Sequence, residues 1–252
     1  MHRRQALKMF AGLALCPMCA PQGLAADAHW SYEGTADGPA KWGDLDAAYR
    51  VCSTGTQQSP IDIGETIKAQ LAPLRMTWAK TAETIVNNGH TIQLNMGDSS
   101  VLAIGGGGNY RLLQFHFHRP SEHTINGASF PMEAHFLHQN AAGAFAAVAV
   151  LMTGGRMNKT FNTIVLTMPN REGPPVKADP KIDPNALLPA KRSYYRYEGS
   201  LTTPSCGETV DWLVLTDPIQ VAEADINSFA NLYKLNARPV QKTNRRFVLR
   251  SG

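Results

Sequence analysis

The stretch "FHFHRPSEH", Phe115–His123, holds three of the chain's eight histidines and sets two of them one residue apart. In an extended strand successive side chains alternate faces, so His116 and His118 point one way while Phe115 and Phe117 point the other. The next strand-like run, "PMEAHFLHQN" (Pro131–Asn140), repeats the pattern: Glu133, His135 and Leu137 share a face, and Ala134, Phe136 and His138 share the opposite one. If the two runs pair antiparallel, with residues 119–130 as the connection, His135 lies beside His116 and His118. Three imidazoles then converge from two rigid strands.

Three neutral imidazoles with a fourth position left open form the donor set of a catalytic zinc site, whereas structural zinc sites are closed and usually rich in cysteine. A ligating imidazole also needs its second nitrogen held by an acceptor, and the same faces offer Gln114 beside His116 and Glu133 beside His135. A lone His-x-His pair is more often an exposed polar pair or a hydrogen-bonded core pair. The third in-phase histidine and the two in-phase acceptors favour the metal. His123 and His138 fall outside this set and are expected to be structural.

With 252 residues, 43% of them hydrophobic, the chain has material for a substantial core in one domain or two. Short β-like runs dominate: Thr84–Val86, Thr91–Asn95, Val101–Ile104, Arg111–His118, Glu133–Gln139, Ala146–Met152 and Val210–Thr216. Gly105–Gly108 reads as a hairpin loop; no helix pattern follows it, which argues against a phosphate-binding loop. Helical patterns cover Met157–Leu166 and Ala222–Leu235, the second with Glu223 and Asp225 in its first turn. A Pro-rich connection runs from Met168 to Ser193. There is no internal repeat and no charge block, so the pattern is one β-dominated domain from about His29 onward.

The N-terminal stretch has a basic start "MHRRQALK", an apolar run "MFAGLALCPMCA" and small residues in "GLAADA". This predicts an export signal over residues 1–26, cleaved between Ala25 and Ala28, with an apolar run too short to span a bilayer. Arg3-Arg4 suits a twin-arginine signal, but basic pairs also open Sec signals, so both routes stay open. Leu15 before Cys16 is too large for a lipoprotein signal, and no membrane anchor is expected after cleavage. Loss of Arg3, Arg4 and Lys8 turns a formal charge of +4 into 21 basic against 20 acidic side chains. Such a balance speaks against a nucleic-acid partner. Cys16 and Cys19 leave with the signal. Cys52 and Cys206 remain as one candidate disulfide in an oxidising compartment, with two buried free thiols as the alternative.

Six stretches, in this order, resemble the α-class carbonic anhydrases: "HWSYEG" (His29–Gly34), "QQSPIDI" (Gln57–Ile63), "NNGHTIQL" (Asn87–Leu94), the long run from Tyr110 to His138, "YEGSLTTPSC" (Tyr197–Cys206) and "NARPVQ" (Asn236–Gln241). The compact "HFHRPSEH" and the pair Cys52/Cys206 resemble the bacterial exported, periplasmic type. The resemblance implies a Zn2+ enzyme that hydrates carbon dioxide reversibly to bicarbonate and a proton, by attack of zinc-bound hydroxide. His116, His118 and His135 would bind the metal, with Gln114 and Glu133 as their hydrogen-bond partners. Thr202 would accept the hydroxide proton and donate to Glu122. Thr203 would sit beside the substrate, and Leu137, Leu201 and Trp212 would form the apolar wall where it rests. His90 matches the family's proton shuttle, and Tyr32, Asn88 and Gln93 match residues that order the active-site water. The implied fold is mainly β: a single domain over residues 29–252, with a central ten-stranded, mainly antiparallel twisted sheet and a few short peripheral helices. A monomer or a homodimer would fit.

Two other functions compete. One is a hydrolase, since the same site attacks activated esters; the other is a zinc-free binding module, which would lack ligands that this chain keeps. The chain departs from the family pattern at Arg119, after the second ligand, where an aromatic or small residue is usual, and at Ser205, which stands for a proline. The first implies altered charge at the pocket rim and the second a slightly looser threonine loop.

Overall fold

The alternating runs become strands in the computed structural model, which describes residues 28–105 and 108–252. The export signal expected over 1–26 lies outside the described residues. In chain order the strands are β1 (Asp62–Ile63), β2 (Ile67–Ala69), β3 (Arg75–Thr77), β4 (Thr84–Asn87), β5 (Ile92–Asn95), β6 (Val101–Ile104), β7 (Gly108–His118) and β8 (Thr124–Ile125). They continue as β9 (Met132–Gln139), β10 (Phe145–Gly154), β11 (Val176–Lys177), β12 (Tyr194–Gly199), β13 (Val210–Leu215), β14 (Ile219–Val221) and β15 (Leu249–Ser251). Four short helices accompany them: α1 (Trp42–Leu45), α2 (Val51–Thr54), α3 (Lys159–Thr167) and α4 (Glu223–Ala230).

Ten strands form one continuous hydrogen-bonded path, β11-β4-β5-β7-β9-β10-β13-β12-β15-β2, and β3, β6 and β14 attach to it, giving thirteen in all. The expected ten-stranded sheet is this path. Most pairs are antiparallel, but β10 runs parallel to both β13 and β14, and β15 parallel to β2, so the sheet is mixed. Strands β6 and β7 form the hairpin expected around Gly105–Gly108.

The two long central strands carry the site. β7 and β9 pair antiparallel with His116 opposite His135 and His118 opposite Glu133. A register shift between Leu112 and Gln114 marks a β-bulge. The extra residue changes the phase of β7, which is why Leu112 and Phe115, three positions apart, both enter the same core cluster. Phe115 stacks on Phe136 with ring centroids 5.2 Å apart, and Trp78 covers Phe136 at 4.7 Å. Phe161 and Ile164 of α3, with Ile226 and Phe229 of α4, close this apolar side. Asn158 caps α3 by accepting from the Thr160 and Phe161 amides at 3.0 and 3.1 Å, an arrangement worth about 1 kcal/mol.

The second helix is shorter than its sequence pattern. It ends at Ala230 rather than Leu235, with the Leu232 amide reaching only three residues back to the Phe229 carbonyl; beyond it Arg119 Nη1 donates to the Lys234 carbonyl at 2.6 Å, and Asn236 Oδ1 accepts from the Arg119 amide at 2.7 Å. Those bonds draw residues 234–236 against the end of β7, beside the histidine face.

Candidate active site

On the face of β7 and β9 away from α3 and α4, His116, His118 and His135 bring their ring centroids to between 4.4 and 5.4 Å of one another. Each has one nitrogen engaged by a group that can only accept at that atom. His116 Nδ1 lies 2.8 Å from Gln114 Oε1, His118 Nδ1 is 2.7 Å from the Asn236 carbonyl, and His135 Nε2 is 2.9 Å from Glu133 Oε1. An acceptor there requires the proton on that nitrogen, so the lone pairs sit on His116 Nε2, His118 Nε2 and His135 Nδ1. The three rings can offer one atom each, all within 4.8 Å of one another.

The electrostatics favour neutral donors at two of the three positions. Burial pushes His116 well below the ordinary imidazole range, and its histidine neighbours push it further. Burial also lowers His118, against the opposing pull of Glu122. For His135 burial is again the largest influence, yet the charge and hydrogen bond of Glu133 outweigh it and leave the ring raised. Burial works upward on Glu133 too, but His123 and His135 hold its carboxyl well below the usual range.

These donors fit a metal ion. His118 Nε2 is buried and has no hydrogen-bond partner among the described residues. Leaving such an atom without a partner costs about 1–3 kcal/mol, and a cation shared with two neighbouring lone pairs removes that cost. Borderline-soft imidazole nitrogens without a thiolate suit zinc.

Glu133 links two layers. Its Oε1 meets both His135 and His123, the latter at 2.7 Å, and its Oε2 accepts from the amides of Glu122 and His123 at 2.8 Å. His123 Nε2 in turn lies 2.6 Å from the Tyr197 hydroxyl, so neither ring nitrogen of His123 is open. His123, Glu133 and His135 also lie close enough to hold a cation, but His123 is spent on hydrogen bonds and is structural, as expected. His138 is structural as well, on the opposite face with Nδ1 3.3 Å from the Ala146 carbonyl.

Glu122 is buried beside the histidine cluster, 3.5 Å from His118 and 3.8 Å from His135. Its Oε1 accepts from the Arg238 amide at 2.8 Å, and its Oε2 has no hydrogen-bond partner among the described residues. No hydrogen bond joins Thr202 to Glu122 in this structure. The Thr202 loop is pinned from both sides: Ser200 Oγ accepts from the Ser59 amide at 2.9 Å, Trp212 Nε1 donates to the Ser200 carbonyl at 3.0 Å, and Cys206 is disulfide-bonded to Cys52 with a Cα–Cα distance of 5.0 Å. Arg238 reaches across to the same anchor, donating to the carbonyls of Ser59 and Cys52 at 2.8 and 3.0 Å. Burial lowers its guanidinium to about 10 despite Glu122.

Leu137, Leu201 and Trp212 belong to one apolar cluster with Ala147, Ala149 and Val214. Trp212 lies 4.8 Å from His135, which brings that wall against the histidines. Around the opening, Gln93 is opposite His116 in the sheet and receives a long, 3.5 Å bond from Asn88. Tyr32 stands edge-on to His118 at 6.5 Å, and burial, then the Glu122 charge, raises its phenol well above the ordinary range. His90 is half-buried and stacks on Trp30 with centroids 3.7 Å apart; burial and then His29 lower it, against Glu172. Arg119 sends its guanidinium to the Lys234 carbonyl.

Sequence reasoning missed four of these residues. Asn236 and Arg238 act through a backbone carbonyl and a backbone amide, which no side-chain pattern announces, although both sit in the "NARPVQ" stretch. Tyr197 and Trp30 likewise lay inside the quoted stretches without a role.

The family model for eukaryotic-type carbonic anhydrase matches residues 37–252. A carbonic anhydrase of Klebsiella pneumoniae is 42% identical over 223 residues, covering 88% of this chain and 90% of that protein. One of Pectobacterium atrosepticum is 39% identical over 222 residues, with the same coverage. The α-carbonic anhydrase of Thermovibrio ammonificans, solved with the inhibitor sulfanilamide, superposes with a TM-score of 0.86 at 41% identity, covering 89% of this chain and 100% of that one. Fold, site and relatives agree, and the chain belongs to the eukaryotic-type carbonic anhydrase family.

Proposed function

We propose that this carbonic anhydrase holds Zn2+ on His116, His118 and His135 and hydrates carbon dioxide reversibly to bicarbonate and a proton. The observation that carries the reading is the convergence of three lone pairs, with His118 Nε2 buried and unpartnered among the described residues. When bound, zinc supplies the charge that acidifies a ligated water and so delivers a nucleophile at ordinary pH, a property for which this family is the usual illustration.

The chain's own residues supply the rest. Gln114, the Asn236 carbonyl and Glu133 hold each ring in the required tautomer, so no reorganisation is needed at the moment of reaction. Leu137, Leu201 and Trp212 give carbon dioxide an apolar surface and exclude water from it. Thr203 follows Thr202 on the pinned loop and flanks the substrate. With Glu122 Oε1 fixed by Arg238, Oε2 is the acceptor left for the Thr202 hydroxyl. A Thr202 hydroxyl that donates there has only its lone pairs to offer the nucleophile, which sets the direction of attack. Tyr32, kept as a neutral O–H donor, works with Asn88 and Gln93 to order water toward the opening. His90 takes the released proton; its burial-lowered affinity lets it give that proton up again.

The decisive experiment is metal analysis of purified protein with a carbon dioxide hydration assay before and after chelation. Stoichiometric zinc, loss of hydration on chelation and recovery on adding Zn2+ are expected; full activity in metal-free protein would overturn the reading. Sulfanilamide, bound by a structural relative, is a second probe of the same site.

We further propose export to the periplasm, with residues 1–26 as the signal and 29–252 as the catalytic domain. The Cys52–Cys206 bridge and the bacterial relatives support this. A bridge closing so long a loop contributes roughly 4–5 kcal/mol in the chain-entropy account. Cell fractionation and N-terminal sequencing of the mature protein test it.

A further inference from the structure

We propose that Arg238 is a positioning residue for the hydration step, a clamp that sets the Thr202 loop at a fixed place relative to Glu122; the proposal rests on the reading of Thr202 and Glu122 as the pair that orients the nucleophile. The two come from separate connections, Glu122 after β7 and Thr202 after β12. Whatever registers one against the other has to reach both. Arg238 does so with its backbone on one side and its side chain on the other. Its amide donates to Glu122 Oε1 at 2.8 Å, while Nη1 donates to the Ser59 carbonyl at 2.8 Å and Nη2 to the Cys52 carbonyl at 3.0 Å.

Each of these carbonyls leads to one end of the loop 200–206. Ser59 is laced to Ser200: its amide donates to Ser200 Oγ at 2.9 Å, and the Ser200 amide donates to Ser59 Oγ at 3.1 Å. Cys52 carries the disulfide to Cys206. One planar guanidinium therefore spans both ends of the loop that bears Thr202, and the amide of the same residue fixes the carboxylate read as its partner.

The clamp is itself held. Arg238 is buried, and its guanidinium carbon lies over the buried Trp42 ring, 5.5 Å from the centroid. Trp42 is fixed in turn by donating Nε1 to the Ser31 carbonyl at 2.9 Å. Even lowered to about 10 by burial, the guanidinium is a cation at neutral pH, so both of its carbonyl bonds are charge-assisted. A lysine would present one compact charge on a flexible stem, without the rigid fork that holds two carbonyls at set positions. A purely structural role predicts a less stable protein whose folded molecules react normally. A positioning role predicts slow attack on carbon dioxide in protein that is folded and loaded with zinc.

The test compares Arg238→Gln, Arg238→Lys, Thr202→Ala and the double variants of each Arg238 change with Thr202→Ala, with zinc content, unfolding midpoint and carbon dioxide hydration measured on every protein. Arg238→Gln should keep stoichiometric zinc and lower kcat/KM for carbon dioxide roughly ten-fold, while kcat in dilute buffer, which includes proton exit, falls less. Arg238→Lys should lose roughly three-fold, and it carries the test where the Gln variant does not fold. Each double variant should be no slower than Thr202→Ala alone, because Arg238 acts through that residue. Wild-type kcat/KM in Arg238→Gln or in Arg238→Lys, beside a slowed Thr202→Ala enzyme, would overturn the clamp and leave the Thr202 reading standing. So would a loss of activity that only follows a loss of zinc, or a double variant slower by the product of its two single effects. Wild-type kcat/KM in Thr202→Ala would remove the reading of Thr202 and the clamp with it.

Discussion

His135 and His138 are three residues apart on the same strand, both buried, and they behave in opposite ways. His135 meets Glu133 and is raised; His138 meets backbone carbonyls of Ala146 and Phe136 and the ring of Trp78, 5.5 Å away, and burial lowers it to about 3. Alternation along β9 separates them onto two faces of one sheet. On the polar face His116, His118 and His135 are each oriented by an acceptor and keep a nitrogen near one another, while His123 spends both nitrogens on Glu133 and Tyr197. The apolar face simply forbids charge. Burial lowers His118 and His138 alike, each with Nδ1 at a backbone carbonyl, and what separates them is the company of the other nitrogen: two further imidazoles around His118, the ring of Trp78 beside His138.

The largest effect should come from breaking the polar face itself. His118→Ala or His135→Ala should remove most bound zinc and lower hydration by roughly a thousand-fold or more, as expected when about 4 kcal/mol of metal-derived charge stabilisation is lost. Metal content and hydration rate measure it, and stoichiometric zinc with high activity in either variant would contradict the ligand set.

The apolar face makes a prediction about pH. The unfolded chain binds a proton at His138 below its ordinary 6.5, while the folded chain binds one only near 3. The stabilisation from keeping this ring neutral is complete above 6.5 and disappears as pH falls toward 3. Wild type should therefore lose about 3 kcal/mol relative to His138→Gln between pH 7 and pH 4. Denaturant unfolding of both proteins at the two pH values measures the difference; parallel pH profiles would show that His138 charges freely in the fold.

Glu133→Gln sharpens the contrast by making His135 more like His138. Zinc affinity should fall about 10- to 100-fold, as for other partners that orient a ligand, and competition with a chelator reads it directly. Unchanged affinity would mean that strand geometry alone orients His135.

The smallest effect probes the last unpaired oxygen on the polar face. Glu122→Gln and Thr202→Ala should each keep zinc and slow hydration, and the double variant should cost less than the two singles together, with a coupling of about 1–2 kcal/mol. Strict additivity would show that Thr202 and Glu122 do not act as a unit.

Much of the site was legible before folding because strand alternation is a local property. The period of two placed His116, His118, Gln114, Glu133 and His135 on one face, and the structure brings all five together. The helix end at Ala230 was not legible, since apolar spacing continues through Leu235, while residues 234 and 236 are engaged by Arg119, more than 100 residues earlier in the chain.

The sequence by itself determined the chemistry of the donor set, the faces of β7 and β9 near the site, and the two cysteines available to pair. Only the tertiary structure decided the phase of β7, through the bulge at Leu112–Gln114, and the identity of the group behind His118, a carbonyl 118 residues away. It also decided which oxygen of Glu122 stays open, through the Arg238 amide. The physical reason is one of range. Side-chain alternation follows from the backbone of a few consecutive residues, whereas backbone amides and carbonyls are alike at every position and acquire a role only when burial forces each of them to find a partner.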